Sequence, residues 1–148
     1  MKNPSAYLKT LILCAALALT SCTATKNTDT NLPKDIAERP ADENSQKYDQ
    51  AQLDKLKAYI QNEINKVECT GSNDWTFSPI GAKACGGPQS YIAYPKKMES
   101  EILPKINDYT EKVKAFNEKY KLMSDCMMIL PPKAVKCVDG KPEFVPST

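Results

Sequence analysis

The chain has 148 residues, about the length of one domain, with 20 basic side chains, 18 acidic side chains and no histidine. The lack of histidine excludes Ser-His-Asp and Cys-His catalysis, imidazole metal sites and an ordinary titration switch near neutral pH. Lys2 and Lys9 lie in a leader that is expected to be removed, which leaves 18 basic and 18 acidic side chains. A chain with this charge balance lacks the excess of basic residues that is typical of nucleic-acid-binding proteins.

Residues 1–21 are typical of an export signal. Lys2 and Lys9 supply its positive charge, and an apolar core of nine residues runs from Leu11 to Leu19. A membrane-spanning helix needs about 20 apolar residues, so we do not expect a retained transmembrane segment.

The leader ends in Leu19-Thr20-Ser21-Cys22, which resembles the lipobox of bacterial lipoproteins. The resemblance implies that the Cys22 thiol is acylated and that the leader is cut just before Cys22. Two or three fatty acyl chains would then anchor the protein permanently in the membrane. Thr23 stands where an Asp would direct sorting to the inner membrane of Gram-negative bacteria, so the resemblance implies the outer membrane. The alternative is an ordinary cleaved signal with Cys22 as an incidental thiol.

Residues 22–46 are predicted to be a lipid-anchored, flexible tether. The segment has two prolines, mixed charges and few large apolar side chains, so it cannot bury enough surface to offset its ordering entropy. The alternative is that part of it, Pro33 to Arg39, docks on the domain as a short turn.

Residues 47–148 are predicted to form one folded domain with two amphipathic helices. The first helix spans roughly 46–67. The second has Ser100 as its N-cap and Pro104 in its first turn, where a missing N–H costs least. Apolar side chains recur at steps of three and four, as in helix faces that pack on a core. They are Leu53, Leu56, Ile60, Ile64 and Val67 in the first helix and Ile102, Ile106, Tyr109, Val113, Phe116 and Tyr120 in the second.

Short strands are predicted on both sides of the second helix. They cover Trp75 to Phe77, Tyr91 to Tyr94, Cys126 to Ile129, Ala134 to Val138 and Lys141 to Val145. The last two are joined by Asp139-Gly140, a dipeptide favoured in hairpin turns, and Pro142 predicts an edge strand. The predicted fold is therefore α+β, with two helices packed on a small antiparallel sheet.

Two disulfides are predicted to staple this domain, because four cysteines remain in what is expected to be an oxidising compartment. They are Cys69, Cys85, Cys126 and Cys137. Of the three possible pairings, Cys69–Cys85 and Cys126–Cys137 are preferred, since each encloses a Gly- or Pro-rich loop and is worth about 3 kcal/mol in the chain-entropy model.

Other uses of these cysteines are disfavoured. Spacings of 16 and 11 residues do not match the close C-x₂₋₄-C pairs of zinc sites, and no C-x-x-C motif indicates a redox-active pair. We predict no metal and no cofactor.

Four segments of the domain resemble a group of bacterial exported proteins and lipoproteins that has no established activity. They are Lys83 to Pro88, Tyr91 to Tyr94, Ser124-Asp125-Cys126 and Cys137-Val138-Asp139-Gly140. The resemblance supports the domain boundary and a disulfide pattern, and it implies no mechanism.

The candidate binding surface lies between the two helices. Gly86 and Gly87 allow positive φ and close approach to an anion or another chain, although a tight turn between Cys85 and Pro88 explains them as well. Trp75, Phe77, Tyr91 and Tyr94 crowd the same segment. Such aromatic residues are typical of recognition surfaces, but they could equally form the sheet's half of the core.

No catalytic residue is predicted, because the carboxylates lie in no recognisable motif. The leading hypothesis is a lipid-anchored envelope lipoprotein with a small non-enzymatic binding domain, for example one that contacts an envelope protein or inhibits an incoming hydrolase. The alternatives are a small carboxylate-dependent hydrolase and a structural envelope component. A concave pocket with two convergent carboxylates would favour hydrolysis, whereas a flat patch exposing Trp75, Phe77 or Tyr91 would favour protein contact.

Overall fold

The computed structural model describes residues 35–147. Along the chain the helices and strands are α1 (Glu43–Ile64), β1 (Trp75–Ala82), β2 (Pro88–Pro95), α2 (Glu99–Lys119), β3 (Ala134–Val138) and β4 (Lys141–Val145). The predicted leader, the lipid site Cys22 and the tether up to Lys34 lie outside the described residues.

The α+β prediction is confirmed, with two helices and two small antiparallel sheets in place of the single sheet expected. β1 pairs with β2, from Trp75 opposite Pro95 to Ala82 opposite Pro88, and β3 pairs with β4 around the Asp139-Gly140 turn. The predicted strand at Cys126 to Ile129 is wrong, since these residues have no regular secondary structure.

The core lies between the helices and the β1–β2 hairpin. α2 packs against β1 and β2, and α1 packs against α2. The apolar stripes predicted for both helices supply the centre of this core, where Ile60, Ile102 and Ile106 have no exposed surface. Burying a side chain of this size contributes about 1.5–3 kcal/mol.

Both helices begin earlier than the sequence predicts. The Asp42 carboxylate accepts a hydrogen bond from the Ser45 N–H at 2.8 Å, so α1 is capped at Asp42 and starts at Glu43. A short 3₁₀ turn, Lys96–Met98, leads directly into α2, so Ser100 is not its N-cap. Pro104 lies inside α2, beyond its first turn.

The boundary predicted between tether and domain at residue 46 is wrong for residues 35–46. Ile36 and Arg39 are buried, and the Arg39 guanidinium pairs with the buried carboxylate of Asp49 in α1. Residues 35–39 form a turn that packs on the fold, as the docking alternative supposed. The turn packs there because the Arg39 guanidinium pairs with the buried Asp49 carboxylate, a contact that the sequence does not reveal.

The disulfide pairing preferred from the sequence is also wrong. Cys69 is bonded to Cys137, with 5.3 Å between their Cα atoms and a separation of 68 positions along the chain. The β3–β4 hairpin docks beside the loop after α1, where the Cys69 N–H donates to the Gly140 carbonyl at 2.9 Å. Tertiary docking, and not the short loops on which the prediction relied, selects this pair.

Candidate functional site

A groove of about 790 Å³ lies between the turn that joins β1 to β2 and one face of α2. Its volume is within the usual range of ligand sites, roughly 300–1,000 Å³. The hairpin side is formed by Pro79, Gly81, Ala82, Lys83, Ala84, Gly86, Gly87 and Pro88, and the other side by Asn107, Thr110, Lys114, Asn117, Glu118, Lys121 and Leu122.

Two hydrogen bonds between β1 and α2 fix the base of the groove. The Gly81 N–H donates to the Thr110 hydroxyl at 3.0 Å, and the Asn117 amide donates to the Ala82 carbonyl at 2.9 Å. The Thr110 hydroxyl in turn donates to the Ile106 carbonyl at 2.8 Å, which holds it in one orientation. The end of β1 is therefore held at a fixed position along α2.

Gly86 and Gly87 lie on the rim of the groove, in a tight turn. The Gly86 N–H donates to the Lys83 carbonyl, and the Lys83 N–H donates to the Gly87 carbonyl, each at 3.0 Å. The φ angles of the two glycines are +98° and +79°, a region that side chains rarely adopt. A Cβ atom on either glycine would meet no described atom within 4 Å. Glycine is favoured at both positions because of the positive φ angle, and not because another atom approaches closely.

The charged lining of the groove is mainly basic. The lining has three lysines, Lys83, Lys114 and Lys121, and one carboxylate, Glu118. Lys83 pairs with Asp125 and Lys114 pairs with Glu111, two carboxylates outside the lining. The pair of carboxylates that the hydrolase hypothesis needs is not found among the residues that line this groove. The amides of Asn107 and Asn117 add hydrogen-bonding groups for a polar ligand.

The predicted aromatic surface is corrected for two of its four members. Trp75 and Tyr94 are buried in the core, as the alternative supposed, and so cannot form a binding surface. Phe77 and Tyr91 are half-buried and make an edge-to-face contact with 5.8 Å between their ring centroids. Phe77 also contacts Phe144 of β4, and this contact joins the two hairpins.

Cys85 and Cys126, which the sequence assigned to different disulfides, lie in contact beside the groove. Both are exposed, and neither takes part in the disulfide. Hydrogen bonding with the Cys126 thiol, and next with the Ser124 hydroxyl, lowers the pKa of the Cys85 thiol, and the Lys83 ammonium lowers it further. The same contact with Cys85 raises the pKa of the Cys126 thiol.

The residues of α2 that line the groove are not predicted from the sequence. Asn107, Thr110 and Asn117 lie on the polar face of α2, which periodicity alone assigns to solvent. They become groove residues only because the end of β1 docks over them. No signal in the chain marks which polar helix positions a distant turn will cover.

Within residues 35–147, no helix is both long and apolar enough to cross a membrane. The same residues hold no cluster of three or more Cys, Asp or Glu side chains that could bind a metal ion. No protein-family model, curated protein or solved structure matches the chain.

Proposed function

We propose that the chain is a lipoprotein of the bacterial cell envelope, anchored in the outer membrane through lipid on Cys22, whose folded part is a non-enzymatic binding domain. The observation that best supports a binding domain is the groove between the Gly86-Gly87 turn and α2. A concave site of this volume with a few placed polar groups is the usual form of a ligand site.

The chemistry of the groove favours an acidic or carbonyl-rich ligand. Lys121 and the two amides are the groups left to bind such a ligand, because Lys83 and Lys114 already pair with Asp125 and Glu111. An exposed, polar segment of another envelope protein has these groups, because its backbone carbonyls accept hydrogen bonds and its acidic side chains pair with lysine. We therefore propose an envelope protein as the partner.

Two independent features support the cell envelope as its location. Leu19-Thr20-Ser21-Cys22 has the order of a lipobox at the end of a short apolar core. The Cys69–Cys137 disulfide is typical of proteins that fold in an oxidising compartment.

The anchor is tested with Cys22→Ala in the full chain. We expect the variant to lose lipid labelling and to leave the membrane fraction, because no acyl chain remains to hold it. Cys14→Ala, in the leader, is the matched control and should leave both properties unchanged. Unaltered fractionation of Cys22→Ala would contradict the anchor.

The groove is tested by photo-crosslinking in living bacteria. A photo-reactive amino acid replaces Asn107, which lines the groove, or Asn62, which is exposed on α1 outside it. We expect discrete adducts with an envelope protein from position 107 and none from position 62. No adduct at 107, or identical adducts at both positions, would refute the groove as the binding site.

A further inference from the structure

Two thiols from distant parts of the chain meet on the protein surface. Cys85 lies in the turn between β1 and β2, and Cys126 lies in the irregular segment after α2. The Cys85 thiol donates to the Asp125 carbonyl at 3.2 Å, and its sulfur lies 3.5 Å from the Ser124 hydroxyl oxygen. Both of these partners directly precede Cys126, so the backbone that carries Cys126 is held against Cys85.

Lys83 holds the same backbone from both sides of Cys126. Its ammonium donates to the Asp125 carboxylate at 2.5 Å and to the Met127 carbonyl at 2.7 Å. The Lys83 side chain is mostly buried, with 11% of it exposed. The two thiols therefore lie together because of specific contacts with the neighbours of Cys126, and not by chance proximity of two mobile loops.

The two pairs of cysteines differ in accessibility. Cys69 is buried, and its bond to Cys137 ties the β3–β4 hairpin to the core. Cys85 and Cys126 are both exposed, so small thiols and disulfides reach them without unfolding of the protein. Exposed disulfides are the labile class, whereas buried ones resist reduction.

We propose that Cys85 and Cys126 form a thiol–disulfide exchange site, an exposed second disulfide that opens and closes while Cys69–Cys137 stays closed. The co-reactant is a small disulfide such as oxidised glutathione. The proposal does not depend on the groove being a binding site.

The exchange proceeds in two steps. The Cys85 thiolate attacks one sulfur of the small disulfide, forms a mixed disulfide and releases the first thiolate. The Cys126 thiol then loses its proton and attacks the Cys85 sulfur, which closes the Cys85–Cys126 bond and releases the second thiolate. Two electrons pass from the protein dithiol to the small disulfide, and the two thiol protons end on the two small thiols.

Cys85 is the attacking residue because its environment favours the thiolate. The thiolate is the nucleophile in exchange, and the lowered pKa of Cys85 raises its population at neutral pH, whereas the pKa of Cys126 is raised. The absence of a C-x-x-C motif disfavours a redox-active pair in the sequence. The fold nevertheless brings Cys85 and Cys126 together, as that motif does for two cysteines that are close in the chain.

Redox titration of the full chain in detergent tests the site. The protein is equilibrated in mixtures of reduced and oxidised glutathione, quenched with an alkylating reagent and mapped by peptide mass spectrometry. We expect Cys85 and Cys126 to convert together between two alkylated peptides and one crosslinked peptide, while Cys69–Cys137 stays crosslinked. The proposal fails if both thiols stay alkylatable in oxidised glutathione, or if Cys69–Cys137 opens first.

Single-cysteine variants test which residue attacks. In Cys126→Ser, Cys85 should accumulate as a mixed disulfide with glutathione. In the reduced wild-type protein, where the contact between the two thiols is intact, a limiting amount of iodoacetamide should alkylate Cys85 about threefold or more faster than Cys126 near neutral pH. Lys83→Gln in the Cys126→Ser background should slow the reaction of Cys85, whereas the matched control Lys47→Gln, at an exposed position of α1 outside the groove, should not. Equal rates at the two cysteines would overturn the assignment of Cys85.

Discussion

Asp49 is a fully buried carboxylate that connects three parts of the chain. It pairs with the Arg39 guanidinium, accepts from the Lys119 ammonium at 3.0 Å and accepts from the Tyr120 hydroxyl at 2.7 Å. The Lys119 ammonium also donates to the Ile36 carbonyl at 2.6 Å. The N-terminal turn, α1 and the end of α2 are thus joined through one side chain.

We expect Asp49→Ala to destabilise the fold by roughly 3–5 kcal/mol, because it removes the buried carboxylate that pairs with Arg39 and Lys119 and accepts from Tyr120. Urea unfolding followed by circular dichroism measures the loss. Asp54→Ala, at an exposed position of the same helix, is the matched control and should change stability by about 0.5 kcal/mol or less. Equal effects at the two positions would contradict the role given to Asp49.

At the scale of elements, the segment after α2 is attached to the fold by few contacts. Residues 122–132 have no regular secondary structure, and Met123, Met127, Met128 and Leu130 are exposed. The ion pair between Lys83 and Asp125 fastens this segment to the β1–β2 turn. The apolar run predicted as a strand joins neither of the two described sheets.

We expect Asp125→Asn to speed amide hydrogen exchange in residues 123–130 at neutral pH and to leave the Tm nearly unchanged. The Lys83 ammonium lowers the pKa of the Asp125 carboxyl, so this attachment is fully present above the ordinary Asp pKa and is lost as pH falls through the lowered value. The wild-type exchange rates should therefore approach those of the variant in acid. Asp108→Asn, which breaks an exposed pair within α2, should leave residues 123–130 unaffected.

At the scale of the whole molecule, the Cys69–Cys137 bond joins positions 68 apart in the chain and closes a loop that contains β1, β2 and α2. A crosslink across a long loop restricts the unfolded chain more than one across a short loop. The observed pairing therefore stabilises the fold more than either of the short-loop bridges expected from the sequence.

We expect Cys69→Ala combined with Cys137→Ala to lower the free energy of unfolding by about 4 kcal/mol. Urea unfolding under non-reducing conditions measures the difference. Reduced wild-type protein should then have nearly the same stability as the double variant. A loss below about 1 kcal/mol would contradict the stapling role.

Much of the local structure follows from the sequence. The stripes of α1 and α2 and the hairpin around Asp139-Gly140 are correct, because spacing of apolar residues and turn chemistry act between neighbours in the chain. Of the candidate binding surface, Gly86 and Gly87 lie in a tight turn on the rim of the groove, whereas Trp75 and Tyr94 belong to the core.

The sequence by itself determined the fold class, the helix faces that are buried and the exclusion of histidine chemistry. Only the tertiary structure decided which cysteines pair, which polar positions of α2 line the groove and where the buried charge of Asp49 finds its partners. The physical reason is separation along the chain. Residues a few positions apart constrain each other through backbone geometry, whereas residues tens of positions apart meet only when whole elements dock.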